Sequence, residues 1–164
     1  FLIAATLLIT YDIRFSQIPL LGNVVVALCV ALSFIFGAFC FSEPNPPIYF
    51  LSLLAFLSTL GREIAKDVED MEADFGIRKT LPMIIGKQKA LYMAFFFIIF
   101  PVLLSPIPFL WLNIFYSLVF IADAIFLWAS YLLFHDVKSS TKWIKWAQLI
   151  AVLAFVLGSF RQLP

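Results

Sequence analysis

The sequence predicts an all-α, polytopic transmembrane helix bundle, and three observations carry that reading. Hydrophobic types make up 63% of the 164 residues and charged types only 13%, against roughly 45–50% and about a quarter in soluble domains. A water-soluble globule of this size could not hide so much apolar surface. That excludes a soluble enzyme, a nucleic-acid binder and a disordered chain. The apolar residues also fall in uncharged runs near the roughly 20 residues that a helix needs to cross a hydrocarbon core of about 30 Å. Finally, the basic residues divide ten to one between two sets of loops.

The runs give five full spans and part of a sixth. Phe1–Thr10 is apolar and lacks the basic start and small-residue cleavage site of a signal peptide, so it reads as the end of a helix that begins earlier. Leu20–Phe41 is a full span without a charge. Ser42-Glu43-Pro44-Asn45-Pro46-Pro47 is a turn, because its prolines break a helix. Ile48–Gly61 follows and can run on into the charged residues after it. Ala90–Leu104 is the next span, and Ser105-Pro106-Ile107-Pro108 the next turn. Phe109–Phe134 carries one charge, Asp123, and the last span is about Trp143–Phe160. None of these runs alternates with the period of two that a strand requires.

The connecting segments alternate between two sides. Arg14, Arg62, Lys66, Arg78, Lys79, Lys87, Lys89, Lys138, Lys142 and Lys145 lie on one side, and Arg161 alone on the other. The positive-inside rule puts the first side in the cytoplasm. Net charge is +1, so no bulk attraction to polyanions, nucleic acid included, follows. Cys29 and Cys40 read as small buried hydrophobes, and His135 as a cap on its helix end. Trp111, Trp143 and Trp146 read as interfacial anchors.

Six of the ten carboxylates lie between Glu63 and Asp74. If the helix continues from the membrane, about 100° per residue places Glu63, Asp67, Asp70 and Asp74 on one strip about 60° wide, with Glu69 and Glu72 on the far side. Like charges at these spacings weaken a helix. Hard oxygen ligands in a row suit Mg²⁺, which keeps several waters and bridges carboxylate to phosphate. Gly76 can break the helix, Arg78, Lys79 and Thr80 then offer cations and a hydroxyl, and Pro82 stops further helix. Acid for a metal beside base for an anion is what a diphosphate–Mg²⁺ site needs. A solvated helix end of mixed charge, with Arg62 and Lys66 in reach, is the plainer reading of the same run.

Gly61-Arg62-Glu63-Ile64-x-Lys66-Asp67-x-Glu69-Asp70-x-Glu72-x-Asp74-x-Gly76-x-x-Lys79-Thr80-Leu81-Pro82-x-x-x-Gly86 resembles the second aspartate-rich motif of the UbiA superfamily of membrane prenyltransferases. The Arg-Glu-Ile and Thr-Leu-Pro flanks are most similar to its geranylgeranylglyceryl phosphate geranylgeranyltransferase branch. Tyr11…Ile18-Pro19-Leu20-x-Gly22-Asn23 is similar to the segment before that family's fifth helix. Residues 1–164 then correspond to the C-terminal part of a single UbiA-like domain, whose first aspartate motif is expected upstream. Ser16 stands where the family carries a basic residue after the tyrosine, and Ala73 where it often has glycine.

The resemblance implies Mg²⁺-dependent transfer of a prenyl group from a prenyl diphosphate to a lipid or aromatic acceptor, geranylgeranylglyceryl phosphate among them. Asp67, Asp70 and Asp74 would be the catalytic metal ligands. Arg62, Lys66, Arg78, Lys79, Tyr11, Arg14 and Asn23 would hold the diphosphate, and Phe-rich helices would line a groove for the isoprenoid tail. The protein would sit in the cell inner membrane among its lipids, with active-site loops in the cytoplasm, and these 164 residues alone would be inactive. An ion-coupled transporter, with Asp123 and the acidic strip as its path, and a catalytically inactive membrane scaffold are the competing classes. An intramembrane carboxylate such as Asp123 is a functional candidate by default; a hydrogen-bonded aspartate facing the bundle is the alternative.

Overall fold

The computed structural model describes residues 18–40, 43–77 and 79–160. The expected partial span Phe1–Thr10, together with Tyr11, Arg14, Arg78 and Arg161, lies outside them. Among the described residues every regular element is a helix: α1 (Leu21–Phe39), α2 (Pro46–Glu69), a short α3 (Leu81–Ile85), α4 (Lys87–Leu104), 3₁₀ turns at Ile107–Leu110 and Ile114–Leu118, α5 (Val119–Leu132) and α6 (Val137–Ser159). Five stretches of the described residues are long and apolar enough to cross a membrane: Leu21–Phe39, Pro46–Glu69, Lys87–Leu110, Ile114–Leu132 and Val137–Ser159. The all-α membrane bundle is therefore as the hydropathy pattern indicates.

α2 is the central post, packed along α1, α4 and α6. Its start is written locally. The Asn45 side chain accepts the Ile48 amide at 3.3 Å, and prolines occupy the first turn, where their missing N–H groups leave no helical bond unmade. Gly61 lets α4 come close. A β-carbon there would lie 2.9 Å from Ile98 Cγ1 and 3.0 Å from the Ala94 carbonyl oxygen. Around this crossing Leu60, Ile64, Ala65, Val68, Ala90, Leu91 and Ile98 form one buried cluster. A second cluster, with Leu51, Leu54, Tyr116, Val119 and Phe155, closes the opposite end of the bundle.

Three boundaries differ from those read in the sequence. The span expected over Phe109–Phe134 is interrupted, and its α-helix begins at Val119. Asn113 explains the break. Its side chain accepts the Phe115 amide at 2.8 Å and its amide group donates to the Leu157 and Phe160 carbonyls, while its own N–H bonds the Gly158 carbonyl. α6 starts six residues before Trp143, at Val137. Asp136 caps it through the Ser139 amide at 3.1 Å. The Ser139 hydroxyl and amide hold the Asp136 carboxyl below the usual carboxylate range. Pro82 does not stop a helix but opens one, in the first turn of α3.

Cys40 is exposed rather than buried, and Cys29 is half-buried. His135 does lie at its helix end, with Nδ1 2.9 Å from the Tyr131 carbonyl and its ring stacked on Tyr131. Trp111, Trp143 and Trp146 are exposed.

Candidate active site

The acidic run sits where α2 ends. Ile64, Ala65 and Val68 are buried and fix the rotation of the last turns, so that Asp67 faces α1. Asp67 is 7% exposed, and the Asn23 amide donates to its Oδ2 at 2.8 Å. A charge-assisted bond of this kind fixes the plane of a carboxylate. On the other side of α2, Thr141 of α6 donates to Glu69 Oε2 at 2.8 Å. The end of α2 is thus gripped from two sides, by α1 through Asp67 and by α6 through Glu69. Placing Asp67 and Glu69 on opposite faces follows from helical geometry alone. The Glu69–Thr141 bond does not, and it removes Glu69 from the class of freely solvated charges.

The helical strip does not continue to Asp74. α2 ends at Glu69 and Asp70 caps it, its N–H bonded to the Lys66 carbonyl at 2.9 Å. Residues 71–77 then run through turns, in which the Asp74 N–H bonds the Asp70 carbonyl at 2.9 Å and Gly76 takes φ +83°. Repulsion among carboxylates three and four residues apart and a left-handed glycine both disfavour a longer helix. Asp70 and Asp74 are half-buried and Glu72 is exposed. Among the described residues no three His, Cys, Asp or Glu side chains form a metal cage by themselves.

The expected cations are dispersed. Lys66 and Lys79 are exposed. Arg62 pairs with its neighbour Glu63 at 2.7 Å and turns toward a cavity below the acidic end. Its Nε and the buried Thr80 hydroxyl find no partner among the described residues. The cavity has a volume of about 220 Å³ and reaches from Arg62 and Glu63 to Leu51, Asp123 and Phe155. Its walls are mostly apolar, supplied by α1, α2, α4, α5 and α6. A polar seam runs down it: Gln148 Nε2 donates to Ser58 Oγ at 3.2 Å and to Thr59 Oγ1 at 3.4 Å. Asp123 accepts the Ser105 hydroxyl at 2.6 Å. Gln148, Thr141 and Ser105 were not singled out in the sequence. A polar residue inside an apolar span is the signal that could have found Gln148, whereas Thr141 lies among the lysines before Trp143 and Ser105 in a proline turn.

The model of the UbiA prenyltransferase family matches residues 1–157. The chain belongs to that family. Among curated UbiA-type relatives, it is 36% identical over 159 residues to the digeranylgeranylglyceryl phosphate synthase of Methanothrix thermoacetophila, covering 96% of this chain and 59% of that protein. It is 38% identical over 161 residues to the synthase of the same name from Methanopyrus kandleri, covering 93% and 58%. A solved structure described as concerning digeranylgeranylglyceryl phosphate synthase in membranes superposes with a TM-score of 0.86 at 32% identity, covering 96% of this chain and 59% of that one. The chain thus spans somewhat more than half the length of these UbiA relatives.

Proposed function

We propose that the protein transfers a prenyl group from a prenyl diphosphate to a lipid acceptor, geranylgeranylglyceryl phosphate being the acceptor that the relatives' names favour. Residues 1–164 form the C-terminal part of one UbiA domain in this reading. The observation that carries it is the buried Asp67 carboxylate, oriented by Asn23 and one helical turn beyond Glu63, which lines the mouth of a mostly apolar cavity.

The residues fit Mg²⁺ in one particular way. No protein-only cage is present among the described residues, but Mg²⁺ commonly takes one or two carboxylates and completes its shell with water and substrate phosphate. Asp67, Asp70 and Asp74 are the ligands proposed, and the Thr80 hydroxyl and Arg62 Nε, without partners among the described residues, are donors an anionic substrate can use. When bound, the ion would offset charge developing on the leaving diphosphate. The chain's own parts do the rest. Asn23 holds Asp67 in one orientation. Lys66, Arg78 and Lys79, with Tyr11 and Arg14, bind diphosphate oxygens. The cavity takes the isoprenoid tail and keeps water from the allylic carbon. The carbon–oxygen bond to diphosphate breaks, the acceptor oxygen bonds that carbon, and the acceptor hydroxyl gives its proton to the departing diphosphate.

The test uses the full-length protein in membranes, supplied with geranylgeranyl diphosphate and geranylgeranylglyceryl phosphate. Transfer is expected, to be abolished by a chelator and restored by Mg²⁺. Transfer that persists in chelator would remove the metal from this reading.

We also propose that the face bearing Asn23, Asp67, Glu69 and Thr141 is cytoplasmic, on the ten-to-one division of basic residues. A cysteine introduced at Ala73 is expected to react with a thiol probe on the cytoplasmic side of oriented vesicles, and one at Asn45 only from the other side. The reverse labelling pattern would turn the molecule over.

A further inference from the structure

One feature of the cavity does not suit a hydrocarbon guest. Along α2 it runs from Arg62 to Leu51, eleven residues or about 16 Å of helix, away from the acidic end. Most of its wall is apolar. Its far end is not. There the second turn of α5 brings in Asp123, bonded to Ser105 at the C-terminus of α4. The Tyr116 hydroxyl, fully buried behind them, donates to the Ser105 carbonyl at 2.8 Å, and its ring packs edge-on against Phe155. No basic side chain among the described residues pairs with Asp123. Its carboxyl group therefore faces the cavity with Ser105 as its hydrogen-bond partner.

We propose that Asp123 and Ser105 form a polar floor that limits the length of the isoprenoid tail. This rests on the prenyl-transfer reading above. A tail that stops short of the floor passes Ser58, Thr59 and Gln148, already hydrogen-bonded to one another, and otherwise lies against Val26, Val30, Leu54 and Val152. A longer one must press methyl groups onto a carboxyl group. That strips the carboxyl of solvent and returns no hydrogen bond, a contact that costs rather than stabilises. The floor thus discriminates by polarity as well as by volume, and Asp123 is a specificity residue remote from the reacting carbon.

The experiment compares geranyl, farnesyl, geranylgeranyl and geranylfarnesyl diphosphates as donors to geranylgeranylglyceryl phosphate, using the full-length protein. Asp123→Ala is expected to raise kcat/KM for the longest donor relative to the shorter ones by about tenfold, the low end of what one methylene of room in an apolar pocket gives. Asp123→Asn, which keeps size and polarity, is expected to keep the wild-type length profile. Leu51→Ala, on the apolar part of the same end, is expected to shift the profile toward longer donors, and it carries the test if Asp123→Ala does not fold. An unchanged length profile in Asp123→Ala or, failing that, in Leu51→Ala overturns the polar floor. Absence of transfer by the wild type with every donor overturns the prenyl-transfer reading instead.

Discussion

Asp67→Asn is expected to lower the proposed prenyl transfer by the full-length protein about 10²–10³-fold, the loss of roughly 3–4 kcal/mol of transition-state stabilisation that one preorganised electrostatic group supplies. The residue is buried and already bonded to Asn23, so the substitution removes a charge whose position the fold has fixed. Asp70→Asn and Asp74→Asn are expected to fall in the same direction. Glu72→Gln is the control. Its side chain is exposed, and an exposed charge contributes at most about 1 kcal/mol. Glu69→Gln belongs with neither group, because Glu69 ties α2 to Thr141. Transfer rates are measured at saturating Mg²⁺, with folding checked by detergent chromatography. Equal effects of Asp67→Asn and Glu72→Gln would place the chemistry elsewhere.

The second large effect is on stability. Gly61→Ala puts a β-carbon 2.9 Å from Ile98 Cγ1, 3.0 Å from the Ala94 carbonyl oxygen and 3.1 Å from the Ile98 amide nitrogen. Two of these three are backbone atoms, which no rotamer change can move, so α4 must shift as a body. Overpacking of this kind costs about 1–3 kcal/mol, and Gly61→Val costs more. Gly37→Ala in α1 is the contrast, with nothing within 4 Å of its added carbon and a gain of about 0.5–1 kcal/mol from the glycine it removes. Thermal unfolding in detergent is expected to move in opposite directions for the two variants. Equal midpoints would show that the α2–α4 crossing does not depend on Gly61.

What the sequence reveals follows from which forces are local. Span number and order come from run length, which is a property of the chain alone, and the described spans match. The boundaries that shift do so for particular reasons. Lys138, Lys142 and Lys145 interrupt the hydropathy of α6 and hide its first turns, although Asp136 and Ser139 are a readable cap. The break before α5 is invisible because Phe109–Leu118 is as apolar as a helix would be. It depends on Asn113 reaching the end of α6, more than forty residues away. At the site, helical periodicity correctly separates Asp67 from Glu69 but carries Asp74 too far, past the end of α2. The partners Asn23 and Thr141 lie 44 and 72 residues from the groups they bind, distances that no local pattern spans.

The Asn23–Asp67 bond joins two helices of unequal reach. Below that joint α1 continues from Asn23 to Phe39, and α2 extends from Asp67 back to Pro46. At about 1.5 Å per residue these lengths are roughly 24 Å and 32 Å. The uncharged part of α2, Pro46 to Gly61, is about 22 Å of the second length, so in apolar reach the two helices match. The surplus of α2 is the charged turn from Arg62 to Asp67, and beside Arg62 and Glu63 α1 presents Val26 and Val30.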